Sequence, residues 1–418
     1  MNRLLRRAQR LMVFGLLASF LGSQLLEGAV NGLIVLGVFP LAWIPIYRTV
    51  TDVQDAFAAA VSRFVERHNP GHVLVVCEAT DVVLTSVAIA MILLGPSGWV
   101  APVLVVYLLV ASFLPLVVDL AEEFYLSDVA QIDGGAVVRA STLIAVGTGV
   151  GGLLIGRPVG ALTSVSGIAT VLALNVALSF VAIVLRIRSG RLYAPEHASP
   201  SPEADADGFV VGIRRFFFPS GPGAIVRNGF LSPVFSFVFM LSTSVLGTYV
   251  VLWVAAEADG NGVVTRLSVL LFAMGASAIV SPYVIGRILE RNGETADRLL
   301  RWLLGLFTFG CTAAVVVRLT RDDAVGSLVI FLCLLVITAS SQGVLFAVST
   351  LRQLRLSSTE FRDVVGWSFS MSAIGGICGA WLGYVLLAAQ DPLAALLVAA
   401  GIGTALFVWA TMLRSSTR

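Results

Sequence analysis

Apolar stretches of about twenty residues, separated by short polar breaks, run along almost the whole chain. A helix crossing the hydrocarbon of a bilayer needs about 20 mostly apolar residues. The pattern predicts twelve such helices, over 11–38, 40–64, 72–94, 100–124, 137–156, 167–187, 229–255, 265–289, 298–319, 324–350, 361–389 and 392–413. The first two are the least punctuated, because 11–47 is one apolar run that Glu27-Gly28 or Pro40 could divide. The run after Arg10 is too long for the core of a cleavable signal peptide, and no small-residue cleavage site follows it. The stretch 189–220, with Pro195, Pro200, Pro202, Glu203, Asp205 and Asp207, is too hydrophilic to span. Within it, 209–218 (FVVGIRRFFF) sets Arg214 and Arg215 among apolar residues, the pattern of a helix lying on a membrane surface. The expected organisation is a six-helix bundle over 1–188, a linker over 189–225 and a second six-helix bundle over 226–418.

Composition strengthens this reading. Of 418 residues, 57% are hydrophobic and 12% charged, about half the charged share of a soluble domain. An ordinary soluble enzyme, a disordered chain and a disulfide scaffold are excluded. A net charge of +2 gives no reason to expect nucleic-acid binding. All 27 basic residues are arginine. With the N-terminus inside, only Arg48, Arg157, Arg266, Arg318 and Arg321 fall in or near outer segments and the other 22 lie inside. That asymmetry predicts an even number of spans with both termini cytoplasmic.

The two halves echo each other. Residues 62–69 read SRFVERHN and 286–293 read GRILERNG, an offset of 224. SFLG at 19–22 answers SVLG at 244–247, and Gly151-Gly152 answers Gly375-Gly376. Arg139 precedes the first glycine pair much as Arg362 precedes the second. A common offset places equivalent landmarks on equivalent spans. Two six-helix halves in one orientation imply a pseudo-twofold axis along the membrane normal, a transporter plan with a central site between the halves.

On these landmarks the chain resembles the major facilitator superfamily. That family carries a loop of the form G-x-L-A-D-R-x-G-R-R between spans two and three. Residues 62–71 look like a worn copy, with Glu66-Arg67 at the usual Asp-Arg, and Gly286, Arg287, Glu290 and Arg291 form a closer copy in the second half. NVALSF at 175–180 and TLRQLRLSSTEFR at 350–362 resemble segments of the exporter branch that includes enterobactin-type siderophore exporters and macrolide efflux proteins. The resemblance implies an all-α fold of twelve transmembrane helices in two pseudo-symmetric halves, a gating role for the two loops, and a monomer.

Ionisable residues within hydrocarbon cost about 2.5–3.5 kcal/mol each on insertion scales and default to function. They crowd the first four spans: Glu27, Arg48, Asp52, Asp55, Glu78, Asp81, Asp119, Glu122 and Glu123. Arg48, Asp52 and Asp55 stand at i, i+4 and i+7, one helical face. For a span starting near Pro40 they lie roughly 12 to 23 Å along it, in mid-bilayer. An arginine one turn from an aspartate can hold it ionised while the second aspartate takes a proton, as an antiport relay requires. A structural ion pair, or a surface stretch if the span starts later, would give the same residues. Gln24, Glu27 and Asn31 form a second polar stripe, fitted to line a cavity or to bond a neighbouring helix. Asp119 is a further cavity candidate, Glu122 and Glu123 are expected near the headgroups, and Glu78 and Asp81 are expected to bond Arg63 and Arg67. Glycines crowd span five (Gly147, Gly149, Gly151, Gly152, Gly156) and span eleven (Gly375, Gly376, Gly379, Gly383), for tight packing or for sliding.

Cys77, Cys311, Cys333 and Cys378 lie in apolar runs without zinc spacing and read as small buried hydrophobes. Asn69-Pro70-Gly71 separates His68 from His72 and spoils a helical metal pair. There is no phosphate-binding G-x-x-x-x-G-K-[ST] loop, H-E-x-x-H or G-x-S-x-G, so neither an enzyme, nor ATP drive, nor a cofactor is expected. The expected activity is proton-coupled export of a small amphipathic compound (a drug, siderophore or secondary metabolite) across a bacterial cytoplasmic membrane, with protons and that solute as partners. An importer or lipid transporter on the same fold, and a membrane assembly partner or sensor that has lost transport, remain as alternatives.

Overall fold

The computed structural model describes residues 2–66, 68–96, 99–132, 134–162, 167–192, 229–257, 262–291, 296–321, 324–356, 358–388 and 392–416. Every long element among them is helical, and eleven helices are long and apolar enough to cross a membrane. The first is α1 (Asn2–Val35), which ends before Gly37, a residue at φ 73°. The left-handed backbone there suits glycine, which lacks the Cβ that clashes in that region.

The second crossing is not the continuous helix expected over 40–64. It consists of α2 (Trp43–Asp52), a 3-10 turn (Asp55–Phe57) and α3 (Ala58–Glu66). At the break Gln54 turns inward and is 2% exposed, its Nε2 donating to Leu109 O at 2.7 Å. A tertiary bond therefore replaces helical continuity. The third crossing is α4 (Pro70–Leu94), capped by Asn69, whose side chain accepts from Gly71 N, with Pro70 in its first turn.

Spans four and five are also interrupted. α5 (Val100–Ala111) and α6 (Phe113–Ile132) meet at Ser112. Pro115 has no N–H to bond the carbonyl of Ala111, so the ladder opens there. Span five runs as α7 (Gly134–Thr148), a π-helical segment (Gly149–Gly156) and α8 (Arg157–Ala161). Pro158 and the preceding glycines account for the widened turn. α9 (Ile168–Leu192) completes the half.

After a short 3-10 turn (Gly229–Leu231) the second half follows as α10 (Pro233–Glu257), α11 (Gly262–Arg291), α12 (Ala296–Thr320), α13 (Ala324–Arg355), α14 (Ser358–Ala388) and α15 (Pro392–Ser416). Pairing repeats six spans on. In the first half, span one packs on five and six, three on four and six, and two on four; in the second, seven packs on eleven and twelve, nine on ten and twelve, and eight on ten. The halves meet along two seams, span two against α14 and span five against α11. This is the twelve-helix, two-half plan expected from the sequence repeat. Most of the expected linker, including the surface-helix stretch 209–218, lies outside the described residues.

Close approach explains the glycines. A Cβ on Gly28 would stand 2.2 Å from the backbone oxygen of Arg157, and one on Gly379 would stand 2.4 Å from Leu241 O. Spans one and five, like seven and eleven, thus touch backbone to backbone. Gly376 is different: a Cβ there would meet Arg48 of the opposite half at 3.1 Å. Three cysteines are buried as expected, whereas Cys378 is exposed.

Candidate functional site

A cavity of about 700 Å³ lies within the bundle. Its wall from the first half carries Glu27, Asp52, Asp55, Glu78, Asp81, Asp119 and Glu122, against Arg48 and Arg157. Its wall from the second half carries no ionisable group and presents Met240, Thr243, Ser244, Thr248, Leu271 and Met274 among others. The concentration of acids in the first four spans thus becomes a one-sided acidic surface.

Arg48 Nε and the Asp52 carboxylate form an ion pair at 2.5 Å, with Thr51 Oγ1 donating to Asp52 Oδ1 at 3.0 Å. Asp55 sits on the 3-10 turn, so the simple helical face expected for the three is broken, yet all three line the cavity. Among the described residues Asp55 makes neither a hydrogen bond nor an ion pair. The Arg48–Asp52 pair lies against Gly376, whose carbonyl accepts from Ser244 Oγ at 2.6 Å. The acidic centre therefore abuts the seam between the halves.

Gln24, Glu27 and Asn31 all face the cavity, as their shared stripe predicts. Arg157 joins two of them: its Nη2 pairs with Glu27 at 2.8 Å and its Nε donates to Gln24 Oε1 at 2.6 Å. That role was not legible, since Arg157 reads only as an arginine at the far end of span five.

Asp119 lines the cavity, and so does Glu122, which the sequence places near the headgroups. Neither makes a hydrogen bond or ion pair among the described residues. Glu123 turns towards the second half. It accepts from Gln353 Nε2 at 2.6 Å and from Ser349 Oγ at 3.0 Å, while Ser141 Oγ donates to Gln353 Oε1 at 3.2 Å. These contacts bridge the halves at the arginine-rich end. At the opposite end Trp381 Nε1 donates to Thr49 Oγ1 at 2.9 Å and Ser268 Oγ to Pro158 O at 3.0 Å. Both ends of the bundle are bridged by single neutral hydrogen bonds or a small polar network.

Arg67 and the side chain of Arg63, the loop partners expected for Glu78 and Asp81, lie outside the described residues. Glu78 pairs with Arg186 at 3.0 Å, the two side chains 2% and 0% exposed, and Arg186 Nη1 also donates to Leu74 O. Asp81 accepts from Asn175 Nδ2 and Ser179 Oγ, both at 3.1 Å. These partners of both acids lie on α9.

Of the gating-loop candidates, Arg67 and the side chains of Glu66, Glu290 and Arg291 lie outside the described residues. Gly286 packs on Thr142 of the first half, and Arg287 lies over the Tyr283 ring at 5.6 Å. Among the described residues, no group of three or more His, Cys, Asp or Glu side chains is arranged to hold a metal.

This architecture is found in solved structures. A bacterial homologue of the iron transporter ferroportin in its outward-facing state superposes with a TM-score of 0.71 at 15% identity, over 98% of this chain and 100% of that one. The same homologue in its inward-facing state gives 0.62 at 13% identity, over 97% and 98%. The human organic anion transporter MFSD10 gives 0.75 at 14% identity, over 97% and 99%. The fold is the major facilitator fold. No family model matches the chain, and no curated protein sequence matches it.

Proposed function

We propose that this chain is a secondary transporter of the major facilitator type that exports a small amphipathic cation in exchange for protons. The observation that carries the reading is the cavity wall of seven carboxyl groups against two arginines. Such an excess of acid attracts cations and repels anions. Asp55 and Asp119 line the cavity without a partner among the described residues, so both are open to a proton or to a cationic group of the solute. Asp52, held by Arg48, sets the charge beside them. Glu27, Gln24 and Asn31 supply polar contacts on the same first-half wall.

Alternating access follows from seams built of small residues and closed by weak contacts. Rocking of 1–188 against 226–418 would break the Glu123–Gln353–Ser349 contacts at one end and the Trp381–Thr49 contact at the other. The arginine distribution favours a bacterial cytoplasmic membrane with both termini inside. The motifs at 175–180 and 350–362 favour the exporter branch that includes siderophore and macrolide efflux proteins. A closed interior with every acid paired would suit a protein that has lost transport; the open cavity and unpaired Asp55, Asp119 and Glu122 speak against it.

The test is reconstitution in liposomes with a trapped pH dye, an imposed pH gradient, and a panel of hydrophobic cations, macrolides and siderophores. Proton flux triggered by a cation, and lost in Asp55→Asn, is the expected result. Full proton-dependent transport by both Asp52→Asn and Asp55→Asn would refute the coupling assignment. Flux with no compound would refute proton-coupled export of these classes.

A further inference from the structure

A second, apolar groove of about 320 Å³ opens on the outer face of the bundle between α4 and α5. Leu84, Val87, Met91, Trp99, Val103 and Val106 are among its walls. It lies on the second part of α4 and on α5, towards the end of the bundle away from the arginine-rich one. Tyr107 lines both this groove and the central cavity. Its ring is the wall between them, 8% exposed, and its hydroxyl is 3.0 Å from Thr85 Oγ1. Thr85 in turn donates to Asp81 Oδ1 at 3.4 Å, and Asp81 faces the cavity.

We propose that this is a lateral opening, gated by Tyr107, through which a single-chain cationic amphiphile passes between the bilayer and the cavity. Resting on the acidic-cavity reading above, the proposal adds a binding site for the solute's tail. The alkyl chain occupies the groove while the cationic head reaches inward past Tyr107 towards Asp81. Two features choose this occupant over an ordinary lipid. The groove is apolar throughout, so it takes a tail and offers nothing to a headgroup. Behind its inner wall stands an acidic surface that complements a cation. Tyr107 stands between the two spaces, and its ring can swing only if the Thr85 bond is given up.

The experiment is photolabelling of the full chain in phosphatidylcholine nanodiscs, with no ion gradient. The probe is a dodecyltrimethylammonium ion carrying a diazirine on its chain, and labelled peptides are read by mass spectrometry. Expected is labelling across 84–91 and 99–110 that unlabelled dodecyltrimethylammonium competes away and that dodecyl maltoside, with the same tail and a neutral head, does not. Val106→Trp, on a lipid-facing position 60% exposed, fills the groove and should weaken competition by about tenfold. Val184→Trp, lipid-facing on α9, should leave it unchanged. Asp81→Asn should erase the preference for the cation over the maltoside. Labelling that neither compound competes, or that a diazirine phosphatidylcholine matches in site and extent, would mean that the groove holds annular lipid only and would overturn the proposal. Because no gradient is applied, a chain that fails to move protons could still show the site, and a proton-coupled chain could still lack it.

Discussion

At the scale of single residues, chemistry divides the acids of the first half into those facing an arginine, those held by neutral donors (Asp81 and Glu123) and those without a bonded partner among the described residues. Asp52, Glu27 and Glu78 each face an arginine, at 2.5, 2.8 and 3.0 Å. Asp55, Asp119 and Glu122 face the cavity without a bonded partner among the described residues. On the proposed function, the paired set holds shape and charge and the unpaired set exchanges protons or solute. Glu78–Arg186 is the most buried pair, with a guanidinium that α1 covers at Gly15. Breaking such a pair leaves an uncompensated charge and costs about 3–5 kcal/mol in soluble proteins. Glu78→Gln is therefore expected to lower the midpoint of thermal unfolding in detergent sharply, and Glu78→Gln with Arg186→Met to recover most of the loss. A double variant as unstable as the single one would show that Arg186 stabilises through packing rather than charge. At the proton site, Arg48→Ala should leave Asp52 unpaired and reduce proton-coupled flux in liposomes while cation binding in the absence of a gradient persists.

At the scale of elements, the irregularities matter more than the regular helix. Spans two, four and five are broken at 53–57, at Ser112 and over Gly149–Gly156. The first break carries Asp55 and the last precedes Arg157, so two of the cavity's charged groups sit at departures from α-helix. Small residues then let broken and straight spans touch. Gly28→Ala places a methyl against the Arg157 backbone and is expected to destabilise by about 1–3 kcal/mol. Gly401→Ala, where a Cβ would meet nothing within 4 Å, should stabilise by roughly 0.5–1 kcal/mol through helix propensity. Thermal unfolding of the two variants in one detergent checks both signs; equal midpoints would refute the close-contact account.

At the scale of the whole molecule, the proposed alternating access depends on seams that open. The arginine-rich end is held by Glu123, Gln353, Ser349 and Ser141, all uncharged except Glu123. A cysteine pair at Ser141 and Gln353, in a background with Cys378 replaced, should cross-link on oxidation and stop flux, with full return on reduction. Persisting flux in a fully cross-linked sample would mean that this end does not open during the cycle. The acidic wall belongs wholly to one half. On the proposed function, a solute's charge is bound by the first bundle, while the second supplies shape, small hydroxyls and the moving surface.

Much of this was legible in the chain itself. Apolar run length gave eleven of the twelve crossings within a few residues at most ends, because lipid demands a minimum length of apolar helix. The 224-residue offset announced two equivalent halves, and the cost of burying charge marked Glu27, Arg48, Asp52, Asp55 and Asp119 as worth attention. All five do line the cavity. Partners were another matter. That Arg157 meets Glu27, that Arg186 meets Glu78, that Glu123 reaches Gln353 and that Tyr107 divides two cavities are decided by how helices rotate and cross. Those angles follow from glycine contacts and helix breaks distributed over the whole bundle. The amino-acid order therefore set where charge is buried, through the energetics of each helix in lipid, and only tertiary packing determined which charges are paired and which face the cavity without a bonded partner among the described residues.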